Sequence, residues 1–327
     1  MKISISRCSW LLACAAGCVS AGSSAAPYPE RTVKVIVPFA TGGGTDIMGR
    51  VLSEKLTTSL GKSFVVENRP GGGAMIGADL VAKSPPDGYT LLLGTSAELT
   101  ISPALYGREP YNPATDFWPI ALLGVSPVLL IANLKFPGND VRELIALAKA
   151  RPGQLTFASG GTGTNPHLAG ELLRILTGIN MVHVPYRGGG PAQTAIIGGE
   201  VDLAFTPIAV TLAHLKNRQV KALAVISPKR SPLVPDVPSA GEQGLTNYEA
   251  VTWYGLFVPA QTPKDVVDTL RASVANAFRE KEMQARLESL GIEIGSVDQG
   301  GEVLVARIKS ELATWRRVIK EAGIKAE

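Results

Sequence analysis

From Tyr28 onward, short apolar runs alternate with stretches in which apolar residues recur every three or four positions. The short runs fit β-strands, and the longer period fits the buried face of a helix. Val33-Lys34-Val35-Ile36-Val37 reads as a strand, after which Ile47, Val51, Leu52, Leu56 and Leu60 share one helical face. Phe64 to Glu67 and Thr90 to Leu93 read as further strands around a short Ala-rich helix, Met75 to Lys83. The apolar run from Pro119 to Ala132, interrupted by Gly124 and Pro127, predicts two strands meeting at a crossing. The pattern then begins again. A helix around Val141, Leu144, Ile145 and Ala148 stops at Arg151-Pro152-Gly153, and Leu155 to Ala158 is a strand. Leu168, Leu172, Ile175 and Leu176 mark the next helix, and Met181 to Val184, Val201 to Phe205 and Val220 to Ile226 are strands. Ser227 to Gly244, rich in Pro and charge, is loop. Thr252 to Val258 is a strand, and Leu304, Ile308, Leu312, Trp315 and Ile319 line one face of the last helix.

Two similar halves with helices left over at the end predict an α/β protein of two doubly wound lobes joined by a two-crossing hinge. Lobe one is expected over residues 27–124 and 251–327, and lobe two over 125–250, including a return segment at 227–250. A cleft between hinged lobes is a natural small-molecule site.

Residues 1–26 follow a different pattern. Lys2 and Arg7 precede an apolar stretch, Cys8 to Ala21, and small residues follow at Gly22-Ser23-Ser24-Ala25-Ala26. The stretch is shorter than the roughly 20 residues a spanning helix needs. It therefore reads as a cleavable signal peptide, which directs the chain to the periplasm. Lipid attachment at Cys18 is the alternative, weakened because no Leu or Val stands three residues before it. All three cysteines, Cys8, Cys14 and Cys18, fall in this leader. Disulfides, thiol nucleophiles and Cys-based metal sites are thereby excluded from the remainder. The 32 Lys and Arg nearly balance the 28 Asp and Glu. With no basic run, nucleic acid is not an expected partner. His167, His183 and His214 are not spaced to share a metal, and no cofactor is expected.

In open α/β sheets ligands bind where strands lead into helix N-termini. The first such loop runs Phe39-Ala40-Thr41-Gly42-Gly43-Gly44-Thr45-Asp46. Its glycines let amides turn toward one point, and the positive helix end favours an anion. Asp46 would repel that anion, so it is expected to accept hydrogen bonds from loop amides instead. The second lobe has a counterpart in Ser159-Gly160-Gly161-Thr162-Gly163-Thr164-Asn165-Pro166-His167. There Asn165 is read as the helix cap and Pro166 as a first-turn residue. His167, in the same turn, is expected to be neutral and to donate to ligand or loop. Ser96, Tyr186, Arg187 and Thr206 follow other strands and serve equally well as contacts or as loop packing. Competing motifs fail. Gly61-Lys62-Ser63 lacks the upstream Gly of a phosphate loop, where Leu56 stands. Gly161-Thr162-Gly163 lacks the third Gly of a dinucleotide fingerprint, and no Gly-x-Ser-x-Gly elbow occurs. No nucleophile–base pair can be placed by spacing.

The motifs in order are Tyr28-Pro29, Pro38 to Asp46, Glu67-Asn68-Arg69-Pro70-Gly71, Asp87-Gly88-Tyr89-Thr90-Leu91 and Ala158 to His167. They continue with Val184-Pro185-Tyr186-Arg187-Gly188, Gly199-Glu200-Val201-Asp202, Pro235-Asp236-Val237-Pro238 and Trp253-Tyr254-Gly255. Together they resemble the Bug family, extracytoplasmic receptors of tripartite tricarboxylate transporters, across nearly all of the chain after the leader. The resemblance implies a type II periplasmic binding fold, integral membrane permease subunits as partners, and a monomeric receptor for a small organic carboxylate. It also implies that Phe39 to Asp46 and Ser159 to His167 hold that carboxylate, partly through ordered water. One departure is Thr41, where the family usually has Pro. A secreted α/β enzyme and a ligand-sensing receptor for a membrane signalling protein are the alternatives.

Overall fold

The computed structural model describes residues 28–327 except 108, 296, 298–300 and 327. The leader read over residues 1–26 lies outside the described residues. The first half-pattern becomes β1 (Val33–Val37), α1 (Gly44–Leu60), β2 (Phe64–Asn68), α2 (Met75–Ala82) and β3 (Thr90–Thr95). A π-helical turn (Ala97–Ile101) then runs into α3 (Ser102–Tyr106), and β4 (Phe117–Ala132) follows. The second comprises α4 (Val141–Ala150), β5 (Thr156–Ser159), α5 (Asn165–Thr177), β6 (Val182–Pro185), α6 (Gly189–Gly198), β7 (Leu203–Pro207), α7 (Ile208–Lys216) and β8 (Lys221–Val225). The chain closes with β9 (Val251–Pro259), α8 (Lys264–Arg279), α9 (Lys281–Ser289), β10 (Glu293–Ile294) and α10 (Gly301–Ala322).

The strands run in the order β2-β1-β3-β9-β4-β7-β5-β6, with β10 and β8 also paired to β4. Parallel pairs β1–β2 and β1–β3 build one lobe, and β5–β6 and β5–β7 the other. Where two strands were expected between Pro119 and Ala132, one 16-residue strand serves both lobes. Its first part pairs antiparallel with β9 from Phe117↔Pro259 to Pro127↔Val251, with register shifts near Ala121 and Gly124. From Val128 on it pairs with β7 and β8. The two interruptions are thus absorbed without ending the strand. Pro127, which lacks an N–H, sits where partners change and a ladder bond is dispensable. At Gly124 a β-carbon would stand 2.6 Å from Ile292 Cγ2 and 2.7 Å from the Glu293 carbonyl, so its bare backbone admits β10.

Each lobe buries apolar side chains on both faces of its sheet. In the first lobe, Met48, Leu52 and Leu56 of α1 pack with Leu270 and Val274 of α8 over Val33, Val35 and Val37. In the second, Leu168, Leu172 and Leu173 of α5 pack on Phe157, Phe205 and Leu130. Helix α10, expected to finish lobe one, does not stay there. Its Leu304, Ile308 and Leu312 pack with Trp253 and Phe257, but Trp315, Val318 and Ile319 join the core around Leu172. One 22-residue helix therefore straddles both lobes, on the order of 33 Å at 1.5 Å per residue. Ile101 and Leu105, on the excursion after β3, likewise pack into the second lobe's core. No helix among the described residues is long and apolar enough to cross a membrane.

Candidate functional site

The carboxyl ends of β1, β3 and β5 and the returning β9 converge on a cleft of about 430 Å³ between the lobes. Phe39 and Thr45 from the first Gly-rich loop meet Thr162, Gly163, Thr164, Asn165 and Pro166 from the second across this space. Thr95, Ser96 and Ala97 contribute the end of β3, and Thr252 the start of β9. The remaining wall is Gly73 and Ala74 before α2, with Ile101, Ser102, Leu105 and Tyr106. Among the described residues, no side chain lining the cleft is formally charged. Hydroxyls, one amide and backbone groups provide its polarity, beside the N-termini of α1 and α5, whose partial positive charge favours an anion.

The first loop is shaped by Asp46, which is 2 % exposed. Its carboxylate accepts hydrogen bonds from Gly42 N–H (2.9 Å), Arg50 Nε (3.0 Å) and Asn68 Nδ2 (3.0 Å). Asn68 also donates to the Phe39 carbonyl, tying β2 to the loop. Burial alone would raise this carboxyl, but the bonds from Arg50, Gly42 and Asn68 and the Arg50 charge outweigh it and bring it down to about 2. Asp46 thus holds the loop, as its position suggested, and stays out of the cleft wall. Ala40, Thr41, Gly42 and Gly43 are exposed and do not line the cleft either. Helix α1 begins only at Gly44, and its ladder opens with Ile47 N–H to Gly43 O (3.0 Å), so the turn before it swings outward.

The second loop rests on two stacked imidazoles. His167 and His183 lie 3.8 Å apart, centroid to centroid, and 14° from parallel, with Phe157 stacked on His183 at 4.9 Å. His167 Nδ1 accepts from Gly163 N–H (3.0 Å), so the neutral ring carries its proton on Nε2. That nitrogen faces Glu171 Oε1 at 3.6 Å. Ser159 Oγ shares a hydrogen bond with His183 Nε2 (2.7 Å) and receives the Gly161 amide (3.2 Å). Burial, and next the neighbouring His167, hold His183 down to about 4. His167, Ser159 and Gly160 therefore support the loop from behind, outside the cleft wall. A serine–histidine pair does exist in space, which spacing alone did not reveal. It joins adjacent strands β5 and β6, but Ser159 is fully buried and its hydroxyl is engaged with the loop.

Other expectations are corrected. The α5 cap is Thr164, whose Oγ1 accepts from His167 N–H (3.4 Å), and Asn165 is the first helical residue. Freed from capping, Asn165 turns its amide to Thr252 Oγ1 (3.4 Å), and its Oδ1 has no partner among the described residues. Tyr186 does not line the cleft, because its hydroxyl reaches Glu200. Arg187 is exposed outside it. Thr206 is buried under α7, where it bonds Thr211, which in turn bonds Gln193. Gly73, Ala74, Leu105 and Tyr106 went unpredicted. The run Gly71-Gly72-Gly73 is as glycine-rich as the first loop and was the available signal. It continues into Ala74 at φ 70°, a left-handed conformation unusual for a residue with a β-carbon.

The sequence model described as "Tripartite tricarboxylate transporter family receptor" matches residues 48–324. Protein BugT of Bordetella pertussis is 36% identical over 310 residues, 94% of either chain. Among solved structures, MatC (Rpa3494) from Rhodopseudomonas palustris with bound malate is 35% identical, with a TM-score of 0.72 over 89% of this chain and 100% of that one. R. palustris Rpa4515 with adipate is 32% identical, with a TM-score of 0.74 over 91% of this chain and 99% of that one.

Proposed function

The chain belongs to the tripartite tricarboxylate transporter receptor family, and from that premise we propose that it captures a small organic carboxylate in the interlobe cleft and delivers it to integral membrane permease subunits. The observation that carries this reading is the facing of two strand–loop–helix junctions, at Thr45 and at Thr162 to Asn165, across one cleft whose described lining side chains are uncharged. Neutral donors and helix ends bind a carboxylate without an ion pair. Phe39, Thr45, Ser96, Thr162, Gly163 and Thr164 are the expected contacts, while Asp46 and His167 position the loops. The lobes, divided near residues 124 and 251 with the end of α10 packed on the second, close about the shared β4–β9 pair. In this reading residues 1–26 are removed on export, and the periplasmic receptor acts as a monomer without catalysing a reaction. Malate and adipate, bound by relatives, fit the same ligand chemistry.

Calorimetry on the purified protein with matched acids and primary amides tests the proposal. Hydrogen bonds to a charged group contribute about 1.5–3 kcal/mol each. The amide of any bound acid is therefore expected to bind at least about tenfold more weakly. Equal affinity for an acid and its amide would refute carboxylate recognition.

A further inference from the structure

One wall of the cleft differs in kind from the loops that face it. Ala74, Ala97, Ile101, Leu105, Tyr106 and Pro166 present mostly carbon, and among the described residues no Lys, Arg or His lines the cleft. The wall is also held firmly. Ser102 Oγ donates to the Gly73 carbonyl (2.7 Å), and a β-carbon on Gly73 would stand 3.1 Å from Tyr106 Cε2. A β-carbon on Gly163 would stand 2.5 Å from Leu105 Cδ2, so this part of α3 is clasped by both lobes.

Malate and adipate each carry two carboxylates. In this cleft the first has the α1 and α5 ends available, whereas the second would face the carbon wall. The Tyr106 hydroxyl on this wall is a neutral donor, and of the amides entering α2 two are already committed, Met75 N–H to Gly72 O and Ile76 N–H to Gly71 O. Thr95 Oγ1 is committed as well, to the buried Glu98. A charged group desolvated without partners opposes binding strongly. An apolar group against the same wall favours binding through its buried area.

We infer that this receptor selects monocarboxylates with a compact apolar body over dicarboxylates, with Leu105 and Tyr106 as specificity-determining residues. The inference rests on the carboxylate-receptor reading above and narrows its substrate class. The carboxylate sits between the two Gly-rich loops, and the aromatic or branched aliphatic body lies along α3.

Calorimetry with benzoate, phenylacetate and 4-methylpentanoate against malate and adipate reads this out, with benzamide as the uncharged control. At least one monocarboxylate is expected to bind about tenfold or more tighter than either dicarboxylate. The variant Tyr106→Arg, at a residue 42% exposed and therefore tolerant in folding, is expected to narrow or invert that preference. Leu105→Ala is expected to weaken the preferred monocarboxylate about tenfold, with circular dichroism confirming the fold. Tighter binding of malate or adipate by the wild type overturns the inference and leaves the carboxylate receptor standing. Benzamide binding as well as benzoate overturns the carboxylate reading while supporting the apolar wall. No binding by any of these probes overturns both.

Discussion

Gly163 and Leu105 meet across the cleft so closely that a single methyl on the glycine would overlap the leucine Cδ2 at 2.5 Å. Gly163 belongs to the second Gly-rich loop, and Leu105 to the helix that follows β3 of the other lobe. Its φ of +76° adds a second requirement, because side chains disfavour that region. Backbone strain would persist in every state of the protein, whereas the overlap with Leu105 lasts only while α3 stays packed against the second loop. Gly163→Ala is therefore expected to lower stability by about 1–2 kcal/mol and to weaken ligand-induced compaction in small-angle scattering. Adding Leu105→Ala to that variant should restore compaction but not stability. By contrast, Gly43 has φ −76° and only the Ala40 carbonyl at 3.8 Å, so Gly43→Ala should shift stability by less than about 0.5 kcal/mol. Crowding the two loops is not equivalent, although both are glycine-rich.

Removing the Asp46 carboxylate should damage the first loop. Asp46→Ala leaves the Gly42 amide without its acceptor and removes one acceptor each from Asn68 and Arg50, and it is expected to cost about 2–3 kcal/mol in urea unfolding. The carboxyl titrates at about 2 in the fold against 3.8 unfolded. The unfolded chain therefore takes up the proton first on acidification. Stability from this group is complete above pH 4 and is lost as pH falls through 2, by about 2 kcal/mol in all.

The imidazole stack has its own pH window. His183 is neutral in the fold and titrates at about 4 against 6.5 unfolded, because burial, and then His167 and Arg174, disfavour its charge, with only Glu171 opposing. Between those values the unfolded chain binds the additional proton. Stability should fall as pH drops from 6.5 toward 4, with a slope of at most about 1.4 kcal/mol per pH unit. Thermal unfolding of the wild type and His183→Phe at pH 7 and pH 5 checks this. The variant should be weaker at pH 7, having lost the bond to Ser159, but should change less between the two conditions.

Glu311 couples the last helix to the returning strand. It accepts Trp253 Nε1–H (2.8 Å) and Thr100 Oγ1–H (3.1 Å), and burial pushes its carboxyl up to about 7. An unfolded glutamate ionises near 4.5, so the fold holds the proton longer, and this group costs stability as pH rises toward 7. Trp253 emission is expected to titrate with a midpoint near 7 in the wild type and to stay level in Glu311→Gln, which keeps an acceptor for the indole. A level profile in the wild type would remove this assignment.

Much of the architecture is set by local pattern. The apolar periods of Val33 to Leu60 and of Leu155 to Leu176 are satisfied by strands and helices whatever their neighbours, because period 2 and period 3.6 each expose one face to bury. The glycines of 42–44 and 160–163 mark strand–helix junctions for the same local reason, and the ordered motifs indicate the family. Tertiary structure alone decided which surfaces meet. Pleating does not encode a strand's partner, so one β4 serving both lobes was not legible in the run from Pro119 to Ala132. The continuous stripe from Leu304 to Ile319 does not reveal that it divides between two cores. His167 and His183 stack because β5 and β6 pair in register, which brings a helix's first turn over a neighbouring strand. Leu105 and Tyr106 read as ordinary apolar residues of a short helix. They become the wall of the cleft only because the excursion after β3 packs against the opposite lobe, a contact between segments nearly sixty residues apart, Leu105 and Gly163.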